Sequence, residues 1–403
     1  MRVSTNTIYG NGTGQMLRQQ DALFRIQQQL SAGKSILTPS DDPIASVQAL
    51  AITQSASIND QYSVNRNNAK SSLALEESVL KQVTEVLHGV YESAVQAGSG
   101  ALTDADRKSI AIELRGQLES LVGLANNTDE SGQFLFSGYQ ANTKPFVQTD
   151  LNVQYQGDQG QRLNQVGPTR QLVVGDPGSD VFEAIKNGNG VFTTTADSQN
   201  TGTGVIDIGS VVNPADLTGS DYEINFTVTA GVTTYDIVDA TTGTTISSAN
   251  PYVENSSISF DGMQVSIKGN PADGDKFEIA PSTNQSIFKT VGDLISTLES
   301  PTGGQSGGET RLANDLSTAL RNISNGLDHI LLKQSSIGSR MDEISTLEDV
   351  GSDQKIQYRQ QLSQLQDVDY AQSISDFQRQ QLYLQAAQQS YIKISGLTLF
   401  NFL

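Results

Sequence analysis

The chain has 403 residues, and its 25 basic and 44 acidic side chains give a formal net charge of −19. Nucleic acids and anionic membrane surfaces would repel such a chain, which argues against both as partners. Cysteine is absent, which excludes disulfides, thiol nucleophiles and cysteine metal sites. Histidine occurs only at His88 and His329, which leaves little room for histidine chemistry.

The chain start shows no apolar segment followed by a small-residue cleavage site, so we expect no cleaved secretory signal. Helical periodicity follows, at steps of seven and of three to four residues, through Met16, Leu23, Ile26 and Leu30. After an interruption at 31–34, the Asp41-Asp42-Pro43 sequence predicts a new helix. Asp42 is its expected N-cap, and Pro43 fits the first helical position.

The second helix is predicted to be long, from Pro43 to about Gly98. Two columns of seven-residue spacing, offset by three, form an a/d seam: Leu73, Leu80, Leu87 and Ala94, with Ala69, Glu76, Val83, Val90 and Ala97. Positions 65–68 are weak seam members and leave a break there open. A third helix is predicted with Thr103 as N-cap and a stripe of Ile110, Leu114, Leu121 and Leu124. The short turn between these helices predicts that they lie antiparallel.

From about Leu151 to Gln285 the period changes to two, which indicates β-strands. Apolar residues alternate with polar ones through Tyr222, Ile224, Phe226 and Val228, through Met263, Val265 and Ile267, and through Phe277 and Ile279. Asp-Gly and Gly-Asn-Pro turn signals separate these runs. The stretch holds 16 acidic and five basic residues. We therefore predict a well-solvated, antiparallel β domain.

A Gly-rich segment at 301–308 reads as a flexible linker back into helix. The strongest heptad pattern of the chain follows it, through Leu316, Ile323, Ile330, Ile337 and Ile344, with Ala313, Leu320, Leu327, Gln334 and Met341 as the second column. A weaker seam closes the chain, through Phe377, Leu384 and Tyr391, with Ile374, Gln381, Gln388 and Ser395 beside them. Because half of that last seam is polar, its helix is expected to need partners.

No catalytic constellation emerges. The Gly10-Asn11-Gly12-Thr13-Gly14 stretch lacks the strand context and spacing of a phosphate-binding loop, so a flexible joint is the better interpretation. Asp41 and Asp42 are better explained as helix-start residues than as a carboxylate pair. The two histidines have no neighbouring ligand cluster in the sequence. We therefore expect a structural protein and not an enzyme, with no cofactor and no metal.

Several stretches together resemble the flagellin superfamily and, within it, the flagellar hook–filament junction proteins, the FlgL family. Those stretches are Met1 to Thr5, Gln29 to Lys34, Pro39 to Pro43, Phe134 to Tyr139 with Pro145-Phe146, Leu365 to Ala371, and Ser395 to Leu403. Each is moderately specific, and together they cover both ends of the chain. The resemblance spans about residues 1–150 and 285–403 and is weak over the β stretch.

The resemblance implies a mostly α fold in which both chain ends form a long antiparallel coiled-coil bundle with an outward antiparallel β domain. We expect three regions: 1–40 with 360–403, disordered in the monomer; 41–150 with 286–359, a folded bundle; and 151–285, the β domain. The implied function is an extracellular adaptor that joins the hook to the filament. It would be exported by the flagellar type III apparatus without a cleaved signal peptide. The implied partners are further copies in a ring, the hook-side junction protein, flagellin and an export chaperone.

Our mechanistic hypothesis is that the ends fold on assembly. Its interface residues are Leu23, Ile26, Leu30, Ile374, Phe377, Leu384, Tyr391, Leu397 and Phe400. The bundle core would consist of Leu73, Leu80, Val83, Leu87, Val90, Leu114, Leu121, Ile323, Ile330, Ile337 and Ile344. Flagellin itself is the close alternative, and a coiled-coil adhesin or tail-fibre protein is a more distant one.

Overall fold

The computed structural model describes residues 5–303 and 307–395, and the side chains of residues 10–303 and 307–393. The chain forms two compact units. One consists of the chain ends, up to residue 65 and from residue 346, and is called the terminal unit. The other spans residues 66–345 and is called the central unit.

Long helices occupy both ends of the sequence and strands occupy its middle, as predicted. The helices are α1 (Thr5–Ala32), α2 (Pro43–Ala97), α3 (Asp104–Ala125), α4 (Ile287–Glu299), α5 (Gly308–Gln366) and α6 (Tyr370–Ser395). A π-helical turn (Ser179–Glu183) and a 3-10 turn (Pro214–Asp216) lie among the strands.

The 15 strands of the described residues are short, and all of their pairings are antiparallel. They are β1 (Phe146–Thr149), β2 (Asn152–Tyr155), β3 (Leu163–Gln165), β4 (Gln171–Val173), β5 (Ile185–Lys186), β6 (Phe192–Ala196), β7 (Val205–Ile206), β8 (Ser210–Val211), β9 (Tyr222–Thr229), β10 (Val232–Asp239), β11 (Thr244–Pro251), β12 (Ser257–Phe260), β13 (Met263–Lys268), β14 (Lys276–Pro281) and β15 (Asn284–Gln285).

Both predicted helix starts are confirmed. The Asp42 carboxylate accepts from the backbone N–H groups of Ile44 and Ala45, each at 3.0 Å, and Pro43 is the first residue of α2. Thr103 caps α3 in a capping box with Asp106, which satisfies N–H groups that have no partner inside the helix. α2 continues through residues 65–68, so the break that the sequence left open does not occur.

The helices of the central unit share an apolar core. α2 and α5 run antiparallel there: a Cβ built on Gly98 would lie 3.7 Å from Leu316 Cδ1, and Thr84 Oγ1 accepts from Gln334 Nε2 at 3.0 Å. α3 folds back along α2, since Gly89 of α2 lies against Gln117 of α3. This contact, together with the short turn between the helices, confirms that α2 and α3 are antiparallel.

One column of the α5 seam was predicted correctly, and the other was wrong in its first part. The isoleucine column from Ile323 to Ile344 is fully buried. Up to residue 326 the buried positions lie one residue earlier than predicted, at Leu312, Ala319 and Gly326, and Ala313 is exposed. The other predicted residues of this column, Leu320, Leu327, Gln334 and Met341, are half-buried. The reason is that Gly326 receives α4, where a Cβ would lie 2.3 Å from Ile287 Cδ1.

Two β-sheets enclose a second core. The larger sheet has the order β11-β10-β9-β14-β6, and the smaller has β12-β13-β7 with β8 also paired to β13. The alternation in the sequence holds, because Tyr222, Ile224 and Phe226 of one sheet and Met263, Val265 and Ile267 of the other point into the shared core. The Asp261-Gly262 turn has positive φ at both residues, as a tight hairpin between β12 and β13 requires.

Buried asparagines of α5 attach the β region to the helices. Asn314 accepts from the backbone N–H of Ile206 at 3.0 Å and donates to the carbonyl of Gly204 at 3.1 Å. Asn322 accepts from the N–H of Gly188 at 3.0 Å. These side chains satisfy backbone groups that the short strands leave unpaired.

An aromatic cluster lies beside α4, a helix that the sequence analysis did not single out. Phe136, Phe146, Phe182 and Phe288 are all fully buried, and their ring centroids are 5.0–5.6 Å apart in the contacting pairs. Phe136 and Phe146 come from the two stretches, around 134–139 and 145–146, that carry part of the resemblance. Those stretches therefore supply core packing.

The predicted flexible linker is anchored at Thr302. Thr302 is buried, donates from Oγ1 to Asp104 at 2.7 Å and accepts from the buried Arg107 at 2.7 Å. Arg107 also contacts Glu309 at 3.1 Å, where α5 begins. At this point the linker is therefore held against the start of α3.

Candidate assembly surface

α1 and α6 pack side by side in the terminal unit, and they run antiparallel. The ring of Tyr391 lies against Gly12, where a Cβ would be 3.0 Å from its Cδ2 atom. Gln380 Nε2 contacts the carbonyl of Gln19 at 3.4 Å. The residues turned toward the partner helix are half-buried and follow heptad spacing: Met16, Leu23, Ile26 and Leu30 in α1, with Phe377, Gln380, Leu384, Ala387 and Tyr391 in α6.

The loop after α1 is tied to the segment before α6. Lys34 and Asp367 form an antiparallel β-bridge. The N–H of Ser35 donates to the carbonyl of Gln366 at 2.7 Å, and the N–H of Val368 donates to the carbonyl of Gly33 at 3.1 Å. Two of the stretches that carry the resemblance, 29–34 and 365–371, therefore meet in space.

Asp41 stabilises the turn that leads into α2. Its carboxylate accepts from the N–H groups of Thr38 and Leu37 at 2.9 and 3.0 Å and pairs with Arg25 at 2.7 Å. The N–H of Thr38 and then that of Leu37 lower the pKa of Asp41 below its ordinary value, because they stabilise the ionised carboxylate. This confirms the structural interpretation of the Asp41-Asp42 pair.

Inside the terminal unit, α2 contacts the C-terminal part of α5 at Asn59 and Asp60. Asn59 is buried and donates to the carbonyl of Gly351 at 2.8 Å, while Lys355 pairs with Asp60 at 2.7 Å. The inward face of α2 in this segment carries mostly small residues, namely Ala45, Ala49, Ile52, Ala56 and Asn59.

The predicted interface residues divide into three groups. Leu23, Ile26, Leu30, Phe377, Leu384 and Tyr391 lie half-buried between α1 and α6, and Ile374 lies on the exposed side of α6. Leu397 and Phe400 lie outside the described residues. The predicted bundle-core residues are all buried in the central unit: Leu73, Leu80, Val83, Leu87, Val90, Leu114, Leu121, Ile323, Ile330, Ile337 and Ile344.

The terminal unit has almost no core of its own. Of its described hydrophobic side chains only Ala49 and Val368 are buried, whereas the central unit buries several dozen. Yet 14 of the 27 exposed large hydrophobic side chains in the described residues belong to it. The exposed hydrophobic side chains on α2 were not predicted from the sequence. The lack of charged residues in 43–59 could have indicated them. This number of exposed apolar side chains makes the terminal unit the candidate assembly surface.

The described residues offer no metal centre, since no group of three or more potential ligands occurs among them. Within the same ranges, none of the helices combines the length and hydropathy needed to cross a bilayer. His329 contacts the carbonyl of Asp180 at 2.8 Å, so its side chain has a structural partner.

Residues 3–141 match the family described as bacterial flagellin N-terminal helical region, and residues 195–281 match the D2-like domain of flagellar hook-associated protein 1. Among solved structures, the chain is 32% identical to flagellar hook-associated protein 3 of Legionella pneumophila, with a TM-score of 0.74 over 78% of this chain and 98% of that one. The chain belongs to the FlgL family. Xanthomonas campestris FlgL is 30% identical, with a TM-score of 0.71 over 77% of this chain and 99% of that one.

Other relatives agree with FlgL-family membership along the whole chain. Flagellar hook-associated protein 3 of Salmonella typhimurium is 28% identical over 401 residues, which is 100% of this chain and 99% of the relative. Flagellin of Salmonella moscow is more distant, with 26% identity over 73% of this chain and 62% of its own length. The protein is therefore a flagellar component, and the relatives of this FlgL-family chain are structural proteins.

Proposed function

We propose that this chain is the adaptor subunit that joins the flagellar hook to the filament and that it assembles in a ring through its terminal helices. The main support for the junction role is that the chain belongs to the FlgL family. A second solved structure from Legionella pneumophila is named flagellar junction protein FlgL, which supports the junction role. The exposed apolar surface of the terminal unit supports the mode of assembly.

Charge distribution favours the terminal unit as the part that meets other subunits. Residues 1–65 and 346–403 together hold eight basic and ten acidic side chains, so their net charge is only −2 of the total −19. Copies of the central unit repel one another far more strongly. Contact through the nearly neutral unit brings together surfaces with little charge repulsion between them.

The proposal includes folding on assembly of residues 1–40 and 360–403. Among the described side chains of α1 and α6 none is fully buried, so the pair gains little apolar burial to offset its conformational entropy. Neighbouring copies would supply the missing apolar surface. Polymerisation would then be confined to places where such neighbours are already present.

The partners proposed are further copies of the chain, the hook-side junction protein, flagellin and an export chaperone. The chaperone would cover the apolar surface before assembly. Export by the flagellar type III apparatus without a cleaved signal is part of the same proposal. The 151–285 region would face outward, in keeping with its 16 acidic and five basic residues.

A strain that lacks the chain tests the junction role. An adaptor is required for attachment of the filament but not for synthesis of its subunit. We therefore expect bare hooks on the cells and unpolymerised flagellin in the medium, with filaments restored by the unmodified chain. Filaments on the mutant cells would contradict the proposal. A lack of flagellin in both cells and medium would instead identify the chain as the filament subunit.

A further inference from the structure

The first turns of α2 show an inverted distribution of side chains. The inward face is built mostly from alanine, while the large apolar residues point to solvent. Ile44, Val47 and Leu50 are 74%, 68% and 69% exposed, and Ile58 is 46% exposed. A helix that served only the fold of one chain would bury its large side chains and expose its small or polar ones.

This stretch also lacks charge. Residues 43–59 include no Asp, Glu, Lys or Arg. Surface helices in water normally carry charges of both signs on their outer face. An uncharged helix that exposes Ile44, Val47, Leu50 and Ile58 is suited to burial against another apolar surface, since no charge would have to be desolvated.

A surface of matching chemistry lies on α6, in the same terminal unit. Residues 380–392 are also free of charge, and Leu382 and Tyr383 are 63% and 49% exposed there. Ala386 is exposed beside them. At about 1.5 Å per residue the two uncharged segments are of similar length, roughly 26 and 20 Å. Within one chain both surfaces remain exposed, so neither covers the other.

We propose that the α2 surface, formed by Ile44, Val47, Leu50 and Ile58, binds the α6 surface, formed by Leu382, Tyr383 and Ala386, of a second copy of this chain. The inference rests on the proposed function and names the surfaces through which neighbouring copies meet. Because the two surfaces differ, the contact is heterologous and repeats from copy to copy. A repeating contact of this kind forms a ring when its rotation closes, whereas a contact between identical surfaces would stop at a dimer.

Site-specific photocrosslinking in intact flagella tests the proposal. Benzoylphenylalanine replaces Val47 in the full chain, in cells with no other copy, and the isolated flagella are irradiated. We expect products at two, three and more chain masses, with the crosslink mapped by mass spectrometry to residues 380–392 of a second copy. The reciprocal replacement of Leu382 should crosslink to 43–59. Val253, which is 62% exposed in the central unit, is the control position and should give no product with either segment.

The other outcomes overturn the proposal. Crosslinks from both positions to flagellin or to another flagellar protein would show a different occupant. Crosslinks of Val47 to Val47 alone, which stop at two chain masses, would show a symmetric contact. If the chain is present in the flagella and neither position crosslinks, the surfaces do not meet, although the junction role stands. If even the unmodified chain is missing from flagella, the proposed function fails and this inference fails with it.

Discussion

The N–H of Ser35 donates to the carbonyl of Gln366 at 2.7 Å, which joins two residues that lie 331 positions apart in the sequence. The bond holds the loop after α1 against the segment before α6. The end of α1 and the start of α6 are therefore held next to each other. This arrangement brings the two terminal segments together at the surface where the account places assembly.

Gly33 permits this junction, and its replacement should weaken it. Its φ is +68°, and a Cβ would lie 3.0 Å from the Tyr370 hydroxyl. We expect Gly33→Ala to destabilise the terminal unit of the assembled chain by about 1–2 kcal/mol, because an L side chain is strained in the left-handed region. Gly116→Ala is the matched control. Gly116 is helical with no atom near the added Cβ, so we expect a gain of about 0.5–1 kcal/mol there. Heating of isolated flagella measures the first effect as a lower temperature of filament detachment, and thermal unfolding of the monomer followed by circular dichroism measures the second. A detachment temperature for Gly33→Ala equal to that of the unmodified chain would contradict the prediction.

Alanine substitutions at two adjacent residues of α5, one buried and one exposed, should have very different effects on stability. Ile330 is fully buried and Leu331 is 49% exposed. We expect Ile330→Ala to lower the free energy of unfolding by about 2–5 kcal/mol, because it leaves a cavity in the bundle. Leu331→Ala should change it by no more than about 0.5 kcal/mol. Urea unfolding measures the difference, and similar losses would show that the bundle core is not where the structure places it.

Glu76 should make stability depend on pH. Burial, and then the negative charge of Asp176, raise the pKa of Glu76 from its ordinary 4.5 to about 8. Between those values the folded chain retains a proton that the unfolded chain has released, so the free energy of unfolding falls as pH rises. Stability from this group is thus fully present below about pH 4.5 and is lost by about pH 8.

Glu76→Gln should remove this part of the pH dependence, since the amide stays neutral. We expect the unfolding midpoint of the variant to decline less than that of the unmodified chain across this range. Glu77→Gln is the control, because Glu77 forms a partly exposed pair with Lys81 at 2.7 Å. Parallel pH profiles for the unmodified chain and the Glu76 variant would contradict the assignment.

The state of the chain ends before assembly is a separate prediction. If residues 1–40 and 360–403 fold only on assembly, the full-length monomer and a 41–359 fragment should have the same total helical signal per mole in circular dichroism. Stably folded ends would instead add the 28 residues of α1, the 26 of α6 and the end of α5 to the full-length signal. That additional signal would refute folding on assembly and would leave the junction role intact.

Local signals in the sequence were sufficient for much of the fold. The Asp42 and Thr103 caps, the isoleucine column of α5 and the alternation in β9 and β13 each depend on neighbours in the chain, so spacing reveals them. α4 was missed even though its buried residues Ile287, Val291, Leu294 and Leu298 follow helical spacing. The second column of α5 was misplaced because α4 approaches at Gly326, which spacing along α5 does not reveal.

The candidate surface was harder to predict for a physical reason. Periodicity shows that apolar residues share one face of a helix, but not whether that face meets the same chain or another one. The exposure of Ile44 and Val47 is unusual because the smaller Ala49 occupies the inward face of the same helix, and only the structure shows which face that is. The bond between Ser35 and Gln366 joins segments whose spacing in the sequence carries no information about contact.

Immunogold electron microscopy of intact flagella, with antibody against residues 151–285, tests the central claim most directly. A junction adaptor occupies a single position along the flagellum. We therefore predict gold in a narrow band where the hook meets the filament. Gold along the entire filament would identify the chain as a filament subunit, and an absence of gold from flagella that bind a control antibody against flagellin would contradict the junction role.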